Sequence, residues 1–235
     1  MRFFRTKVLL LVVLALLAGD ASAQSQATPQ ATPATAATES QPLVYGLVVD
    51  NSGSFRAVLD DIIEAARTVV AGNNASDETF VIRFVDSDNV QLLQDFTRNR
   101  GALSRAMDNM FIQGGQTAIT DALYVAAEHL AKRDAGDNNK GMRRVLVLIT
   151  DGEDRGSTYK PDQLIALLRE QKIQVHVLGF PAFVKKERGK KVYEKALAYL
   201  NTLAQETGGR VFLAENPTQL TDRAAELLNA LHAKP

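Results

Sequence analysis

Leu43-Val44-Tyr45-Gly46-Leu47-Val48-Val49-Asp50 is an unbroken apolar run that ends on an aspartate. Arg144-Val145-Leu146-Val147-Leu148-Ile149-Thr150-Asp151 repeats this pattern further along the chain. A strand that faces water on one side alternates apolar and polar residues, whereas a strand buried on both faces is apolar throughout. Both runs are therefore predicted to be central strands of a sheet that is covered on both faces.

Helical periodicity alternates with short apolar runs around these two strands. A helix is predicted over 58–70, followed by strands 79–85 and 90–96, which the turn-rich residues 86–89 join as a hairpin at the sheet edge. Further helices are predicted over 102–110, 118–132, 161–171, 192–206 and 217–231, and further strands over 173–178 and 210–213. This order predicts an α/β fold with a mostly parallel central sheet, one antiparallel edge strand and helices on both faces.

The amino-terminal residues have the features of an export signal. In residues 1–23, three basic residues precede the apolar run 8–18, and Ala23 ends a small-residue stretch suited to cleavage. Residues 24–41 contain almost only Ala, Thr, Gln, Ser and Pro, which is typical of a linker. We expect an exported protein, periplasmic or secreted, whose folded domain spans 42–235 and whose mature form is not inserted in a membrane. An uncleaved anchor is the alternative.

The overall charge is balanced. The chain has 27 Lys plus Arg and 27 Asp plus Glu, so no strong basic field marks it as a nucleic-acid-binding protein. It has no cysteine, which excludes disulfides and lipid attachment through a cysteine. Any binding function must therefore come from a local site.

Three loops rich in oxygen ligands are predicted to meet at the carboxyl edge of the sheet, where open α/β sheets bind ligands. They are Asp50-Asn51-Ser52-Gly53-Ser54, Gly114-Gly115-Gln116-Thr117 and Thr150-Asp151-Gly152-Glu153-Asp154. Two carboxylates and three hydroxyls suit Mg²⁺, with Mn²⁺ as the other possible ion. The predicted metal ligands are Asp50, Ser52, Ser54, Thr117 and Asp151. Zinc is not expected, because the three histidines lie away from these loops.

These loops resemble the metal-ion-dependent adhesion site of von Willebrand factor A domains, and the resemblance runs from about Leu43 to Leu231. The motifs around Thr117 and Asp151 look most like a bacterial exported subgroup associated with acidobacteria. The resemblance implies a Rossmann-like, doubly wound sheet carrying Mg²⁺ or Mn²⁺, with an acidic residue of a protein partner as the last ligand. It also implies direct ligation by Ser52, Ser54 and Thr117, and ligation through water by the two aspartates.

Residues next to these motifs are candidates for contact with a partner. On sequence proximity alone, the rim of the site is predicted to include Phe55, Ile112, Gln116 and Arg155. The neighbouring acids Asp121, Glu153 and Asp154 are interpreted as ordinary helix-start and turn residues. The basic segment 185–191 is predicted to be a solvated loop.

Two other functions remain compatible with the sequence. The first is a metal-dependent hydrolase such as a phosphatase, with Asp50 as nucleophile, because such enzymes also present an aspartate at the end of a buried strand. No second acid adjoins Asp50, however. The second is a structural scaffold of the same fold whose site stays empty. The prediction favoured over both is a non-enzymatic module for metal-dependent protein binding.

Overall fold

The computed structural model describes residues 41–133 and 141–233, and the predicted signal peptide and all but the last residue of the predicted linker lie outside this part of the chain. Six strands form the sheet: β1 (Leu43–Asp50), β2 (Glu78–Phe84), β3 (Val90–Thr97), β4 (Arg143–Thr150), β5 (Ile173–Gly179) and β6 (Val211–Leu213). The helices are α1 (Leu59–Ala71), α2 (Arg100–Met107), α3 (Ile119–Arg133), α4 (Pro161–Glu170), α5 (Ala182–Glu187), α6 (Lys190–Thr207) and α7 (Leu220–His232).

The strand order in the sheet is β3-β2-β1-β4-β5-β6. All neighbours are parallel except β2 and β3, which form the predicted antiparallel hairpin. The two apolar runs are the central neighbours β1 and β4, and every residue of β1 is buried. The chain winds outward in opposite directions from this pair, so their carboxyl ends meet where the strand order reverses. The predicted α/β fold class is confirmed.

Helices cover both faces of the sheet. One apolar core lies between the sheet and α1, α2 and α7, and the other lies between the sheet and α3, α4 and α6. Gly46 in β1 makes room for the second core, because a Cβ there would lie 2.1 Å from Cζ of Phe80. Within the described residues, no helix has the length and apolarity needed to cross a membrane.

The basic segment 185–191 is not a loop, which corrects the sequence prediction. α5 extends through Glu187, and α6 begins at Lys190. Val184 explains the difference, since this fully buried residue anchors α5 while the lysines that follow it face solvent. Gly189 makes the bend between the two helices with φ 85°, a conformation that glycine adopts at little cost.

Candidate metal-binding site

The first loop of the site follows β1. Asp50, the last residue of the strand, is fully buried, and its Oδ1 accepts a hydrogen bond of 2.9 Å from the backbone N–H of Ser52. A short 3-10 turn, Gly53–Phe55, then brings the Ser54 hydroxyl to 3.0 Å from the Ser52 hydroxyl. The loop thus places one carboxylate and two hydroxyls side by side, as the sequence predicts.

The second loop follows β4 and carries Asp151, which is 1% exposed. Its Oδ1 accepts a 3.0 Å hydrogen bond from the backbone N–H of Glu153, and its carboxylate also accepts one from the Ser54 side chain. The Thr150 hydroxyl donates to Asp50 Oδ2 over 2.8 Å and so joins the two loops from below. Four of the five predicted ligands are therefore linked through hydrogen bonds: Asp50, Ser52, Ser54 and Asp151.

The third loop carries Thr117, and backbone hydrogen bonds connect it to the other two. The N–H of Gln113 donates to Asn51 O over 3.1 Å, which fixes the start of this loop against the first one. The N–H groups of Arg155 and Gly156 donate to Thr117 O over 2.9 and 3.0 Å, which fixes its end against the second. Thr117 is 2% exposed. Its position beside the other four ligands follows from backbone contacts rather than from its hydroxyl.

The electrostatics of the site are unfavourable without a cation. Burial, together with the nearby Asp151 carboxylate, raises the pKa of Asp50, and burial raises the pKa of Asp151. Among the described residues, no Lys, Arg or His nitrogen lies within ion-pair distance of either carboxylate. Two buried like charges without a basic partner are expensive. A divalent cation between them would offset this repulsion.

The donor set fits Mg²⁺. This ion prefers oxygen ligands and is usually held by one or two carboxylates while it keeps some waters. Within 41–133 and 141–233, no group of three or more His, Cys, Asp or Glu side chains is arranged to hold a metal. A metal bound here would therefore be held by two carboxylates and by neutral hydroxyls, the set predicted from the sequence.

A sequence model of the von Willebrand factor type A domain matches residues 46–226, which is most of the chain. The chain belongs to this family. Domains of the family typically act as protein–protein interaction modules and are generally not enzymes. The match covers all three loops of the site.

Solved structures of bacterial proteins share the fold of this von Willebrand factor A domain. The vWF domain of the type V pili tip protein Mfa5 from Porphyromonas gingivalis is 11% identical, with a TM-score of 0.64 over 84% of this chain and 98% of that one. An aerotolerance-related membrane protein from Bacteroides fragilis is 20% identical, with a TM-score of 0.60 over 80% and 99%. The conserved hypothetical protein BatB from Bacteroides thetaiotaomicron is 17% identical, with a TM-score of 0.57 over 80% and 99%. No curated protein matches the sequence.

The four residues predicted to rim the site of this domain lie in different environments. Gln116 is exposed on the third loop, and Arg155 is exposed just after the second. Ile112 is half-buried and packs against the core. Phe55 is fully buried and stacks on Phe180 with ring centroids 6.4 Å apart, so its predicted contact with a partner is wrong. Within the 3-10 turn, the Phe55 side chain points into the core, whereas the Ser54 hydroxyl lies beside that of Ser52.

Phe111 is the rim residue that the sequence prediction missed. Its side chain is 52% exposed, although the Arg83 guanidinium lies 4.1 Å from its ring centroid. Its backbone oxygen accepts a 3.1 Å hydrogen bond from the Asn51 side chain, which belongs to the first metal loop. Phe111 lies in a loop with no periodicity, so only the three-dimensional fold reveals its position. Thr150 was also missed, although it directly precedes Asp151 in the motif.

The acids near the site hold its loops in place, in agreement with their interpretation as structural residues. Asp121 is buried and accepts hydrogen bonds from the backbone N–H groups of Thr158 and Tyr159, over 2.9 and 2.8 Å respectively. Its Oδ2 also accepts a 2.6 Å bond from the Ser87 hydroxyl. These contacts attach the loop after β4 to the start of α3.

Proposed function

We propose that this domain binds one Mg²⁺ through Asp50, Ser52, Ser54, Thr117 and Asp151, and that the metal binds an acidic residue of a protein partner. The observation that carries the proposal is the pair Asp50 and Asp151, buried at the ends of adjacent strands with no ion pair to either in the described chain. Arg155 only partly offsets the rise in the pKa of Asp151, and it already pairs with Glu153. This arrangement is costly unless a cation binds.

The hydroxyls determine what the metal does. Following the family resemblance, Ser52, Ser54 and Thr117 ligate Mg²⁺ directly, and the two aspartates act through water. When bound, the ion is a Lewis acid whose open position accepts a carboxylate oxygen. Asp50 is held by Ser52 and Thr150, and Asp151 by Ser54 and Glu153, so both carboxylates are oriented before a metal arrives. Mn²⁺ has similar ligand preferences and is expected to substitute.

A hydrolase with Asp50 as nucleophile fits less well. Both oxygens of this carboxylate are engaged, by the Ser52 N–H and by the Thr150 hydroxyl, and the side chain is fully buried. A nucleophile needs open access to the reacting atom of its substrate, and this carboxylate has no exposed surface. An empty scaffold also fits poorly, because it would keep the repulsion between two buried acids without any gain.

Export is part of the proposal and rests on residues 1–23, with a periplasmic or secreted domain held on the linker 24–41. The balanced charge supports a protein partner over a nucleic acid. The likeness of the motifs to an acidobacterial exported subgroup stays a prediction.

The test is thermal unfolding of the processed chain, which lacks the predicted signal peptide 1–23, in EDTA, in Mg²⁺ and in Mn²⁺. At a metal concentration about a hundred times the dissociation constant, binding stabilises the folded state by about 2.7 kcal/mol, which raises Tm by about 5 to 10 °C for a domain of this size. The rise is expected in the wild type and is expected to disappear in Asp50→Asn.

The same variant separates metal binding from ordinary stability. In EDTA, Asp50→Asn removes one of two repelling charges while keeping the size of the side chain, so its Tm should equal or exceed that of the wild type. If neither ion raises the wild-type Tm, or if Asp50→Asn responds to Mg²⁺ as the wild type does, the proposed site is wrong.

A further inference from the structure

A cleft of about 660 Å³ adjoins the candidate metal site. It lies between the loop after β4, which carries Asp151, and the first half of α6. Its principal polar and aromatic lining residues are Glu153, Arg155, Tyr159, Lys160, Lys195 and Tyr199. Gly152 and Glu153 directly follow Asp151 in the chain and also line the cleft, so the cleft is adjacent to the candidate metal site.

The carboxylates of the cleft already have partners. Glu153 is 9% exposed, and its Oε1 lies 3.2 Å from Nε of Arg188 and 3.7 Å from Nε of Arg155. Asp154 accepts hydrogen bonds from the hydroxyls of Thr120 and Ser157, the latter over 2.7 Å. Two arginines thus offset the charge of Glu153, whereas the hydroxyls orient Asp154 without neutralising it. The repulsion of an incoming anion in the cleft is therefore reduced to that of one carboxylate.

The lysines of the cleft, in contrast, are free to bind. Lys160 and Lys195 are both exposed, and neither has a carboxylate within 4.0 Å in the part of the chain that the structure describes. They come from opposite sides of the cleft, one from the end of the loop and the other from α6. The cleft thus offers two unpaired positive charges that face one volume.

The wall of the cleft is aromatic and fixed in place. The Tyr159 ring is 40% exposed and stacks on Tyr124 with centroids 3.8 Å apart, nearly parallel at 6°. The Tyr199 hydroxyl lies 2.6 Å from the Thr120 hydroxyl. Rigid tyrosines provide contact area for a peptide at a low entropic cost. The cleft therefore combines cationic and aromatic contacts of the kind that bind an extended acidic chain.

We propose that this cleft binds an acidic segment of the partner protein, next to the carboxylate that the same partner supplies to the metal. The inference rests on the proposed function, because the metal loop and the cleft share Gly152 and Glu153. It narrows the partner class from any protein with one accessible acid to a protein with an acid-rich stretch. Charge complementarity between Lys160, Lys195 and that stretch selects this occupant.

The experiment measures binding of two fluorescent peptides to the processed chain at low ionic strength with saturating Mg²⁺. One peptide is hexaglutamate, and the other is a glycine peptide of equal length with a single glutamate. The wild type is expected to bind hexaglutamate more tightly. The double variant Lys160→Gln with Lys195→Gln should weaken hexaglutamate binding about tenfold, since each exposed ion pair contributes modestly, and should leave single-glutamate binding unchanged.

A matched variant controls for net charge. Arg98→Gln with Lys132→Gln removes two positive charges at the opposite end of the sheet, where Arg98 follows β3 and Lys132 ends α3. This variant should bind both peptides as the wild type does. If it weakens hexaglutamate binding as much as the cleft variant does, the effect is one of net charge and the inference is overturned.

The remaining outcomes separate the cleft from the metal site. Equal hexaglutamate affinity in the wild type and the cleft variant overturns the inference, and so does oligothymidylate binding that is as tight as hexaglutamate binding and equally dependent on the lysines. If Mg²⁺ fails to raise the Tm of the wild type but hexaglutamate still binds through the lysines, the metal function is wrong and the cleft stands as an acidic-peptide site.

Discussion

The two ends of the central sheet bury aspartates in opposite ways. At the amino ends of the strands, Asp77 is 1% exposed and accepts hydrogen bonds from the N–H groups of Leu43 and Asn74, over 3.1 and 2.7 Å respectively. Its Oδ2 also lies 2.8 Å from Nε2 of His232, the last residue of α7. At the carboxyl ends, Asp50 and Asp151 are equally buried, yet neither forms an ion pair in the described chain, and Arg155 acts on Asp151 only from a distance.

The difference teaches that burial alone does not tell a structural acid from a binding acid. The chain provides His232 and two backbone amides for Asp77. This carboxylate, just before β2, therefore connects the end of α7 with the start of β1. For Asp50 and Asp151 it provides backbone amides and hydroxyls, which orient a carboxylate but do not neutralise it. A proton can relieve part of this charge, since the pKa of Asp50 is raised, and the proposed cation would relieve the rest.

The largest effect is expected from Asp77→Ala. The substitution leaves two buried amides and His232 without their acceptor, which should cost about 3 kcal/mol of unfolding free energy, a fall in Tm of about 6 to 12 °C. The loss should be the same in EDTA and in Mg²⁺, in contrast with substitutions of Asp50. Asp88→Ala, in the exposed β2–β3 turn, is the matched control and should change Tm little. If the loss of stability depended on Mg²⁺, Asp77 would not be a purely structural acid, and the contrast between the two ends of the sheet would be wrong.

A change in pH is expected to have an intermediate effect on folding stability, because one buried histidine has no hydrogen-bond partner in the described structure. His176 in β5 is 3% exposed, and neither ring nitrogen has a hydrogen-bond partner in the described structure. Burial, with smaller contributions from Arg143 and Arg210, lowers the pKa of His176 to about 4. The unfolded chain, with a histidine pKa of 6.5, binds the proton first, so stability is complete above pH 6.5 and falls as the pH drops toward 4.

Because of this histidine, the free energy of unfolding should be about 2 kcal/mol lower at pH 5 than at pH 8. His176→Leu removes that part of the acid sensitivity, so chemical denaturation at the two pH values should show a smaller difference for the variant than for the wild type. Since leucine has a similar volume, the stabilities of the two proteins at pH 8 should agree within about 1 kcal/mol. Identical pH dependence in both would mean that His176 is hydrated or paired in solution.

The smallest effect is expected from Thr150→Val, which sharpens the comparison at the carboxyl end. This change removes the hydroxyl that donates to Asp50 Oδ2 and keeps the shape of the side chain. It should cost about 1 kcal/mol of stability and weaken Mg²⁺ binding about tenfold, as the loss of a group that orients a ligand does. Calorimetric titration of the metal measures the second effect. Unchanged Mg²⁺ affinity would show that Asp50 needs no orientation by Thr150.

The central part of the fold could be read from the sequence because its signals are local. The continuous apolar runs of β1 and β4 are short, rich in valine and typical of central strands, and the turn-rich residues 86–89 predict the hairpin. The segment 185–191 was misread because the helical anchor Val184 lies just before it and the lysines dominate its composition. A single apolar residue decided its structure.

The site was only partly predictable, because some of its residues follow local signals and others depend on contacts between distant loops. Asp50 and Asp151 follow recognisable strands, so their meeting at one edge follows from topology. The orientation of Phe55 and Phe111 depends instead on packing between loops distant in sequence, and no period in the chain encodes it. The unpaired state of Lys160 and Lys195 likewise appears only when the surrounding carboxylates are located in three dimensions.

The place of β1 in the sheet has a mechanical consequence. The chain enters β1 at Leu43 and leaves it at Asp50, so the linker side and the metal loop lie at opposite ends of one strand. If a partner bound at the candidate metal site were pulled against the linker, the load would run along β1, which is paired in parallel with β2 and β4. Such a load shears both ladders at once instead of opening hydrogen bonds one after another.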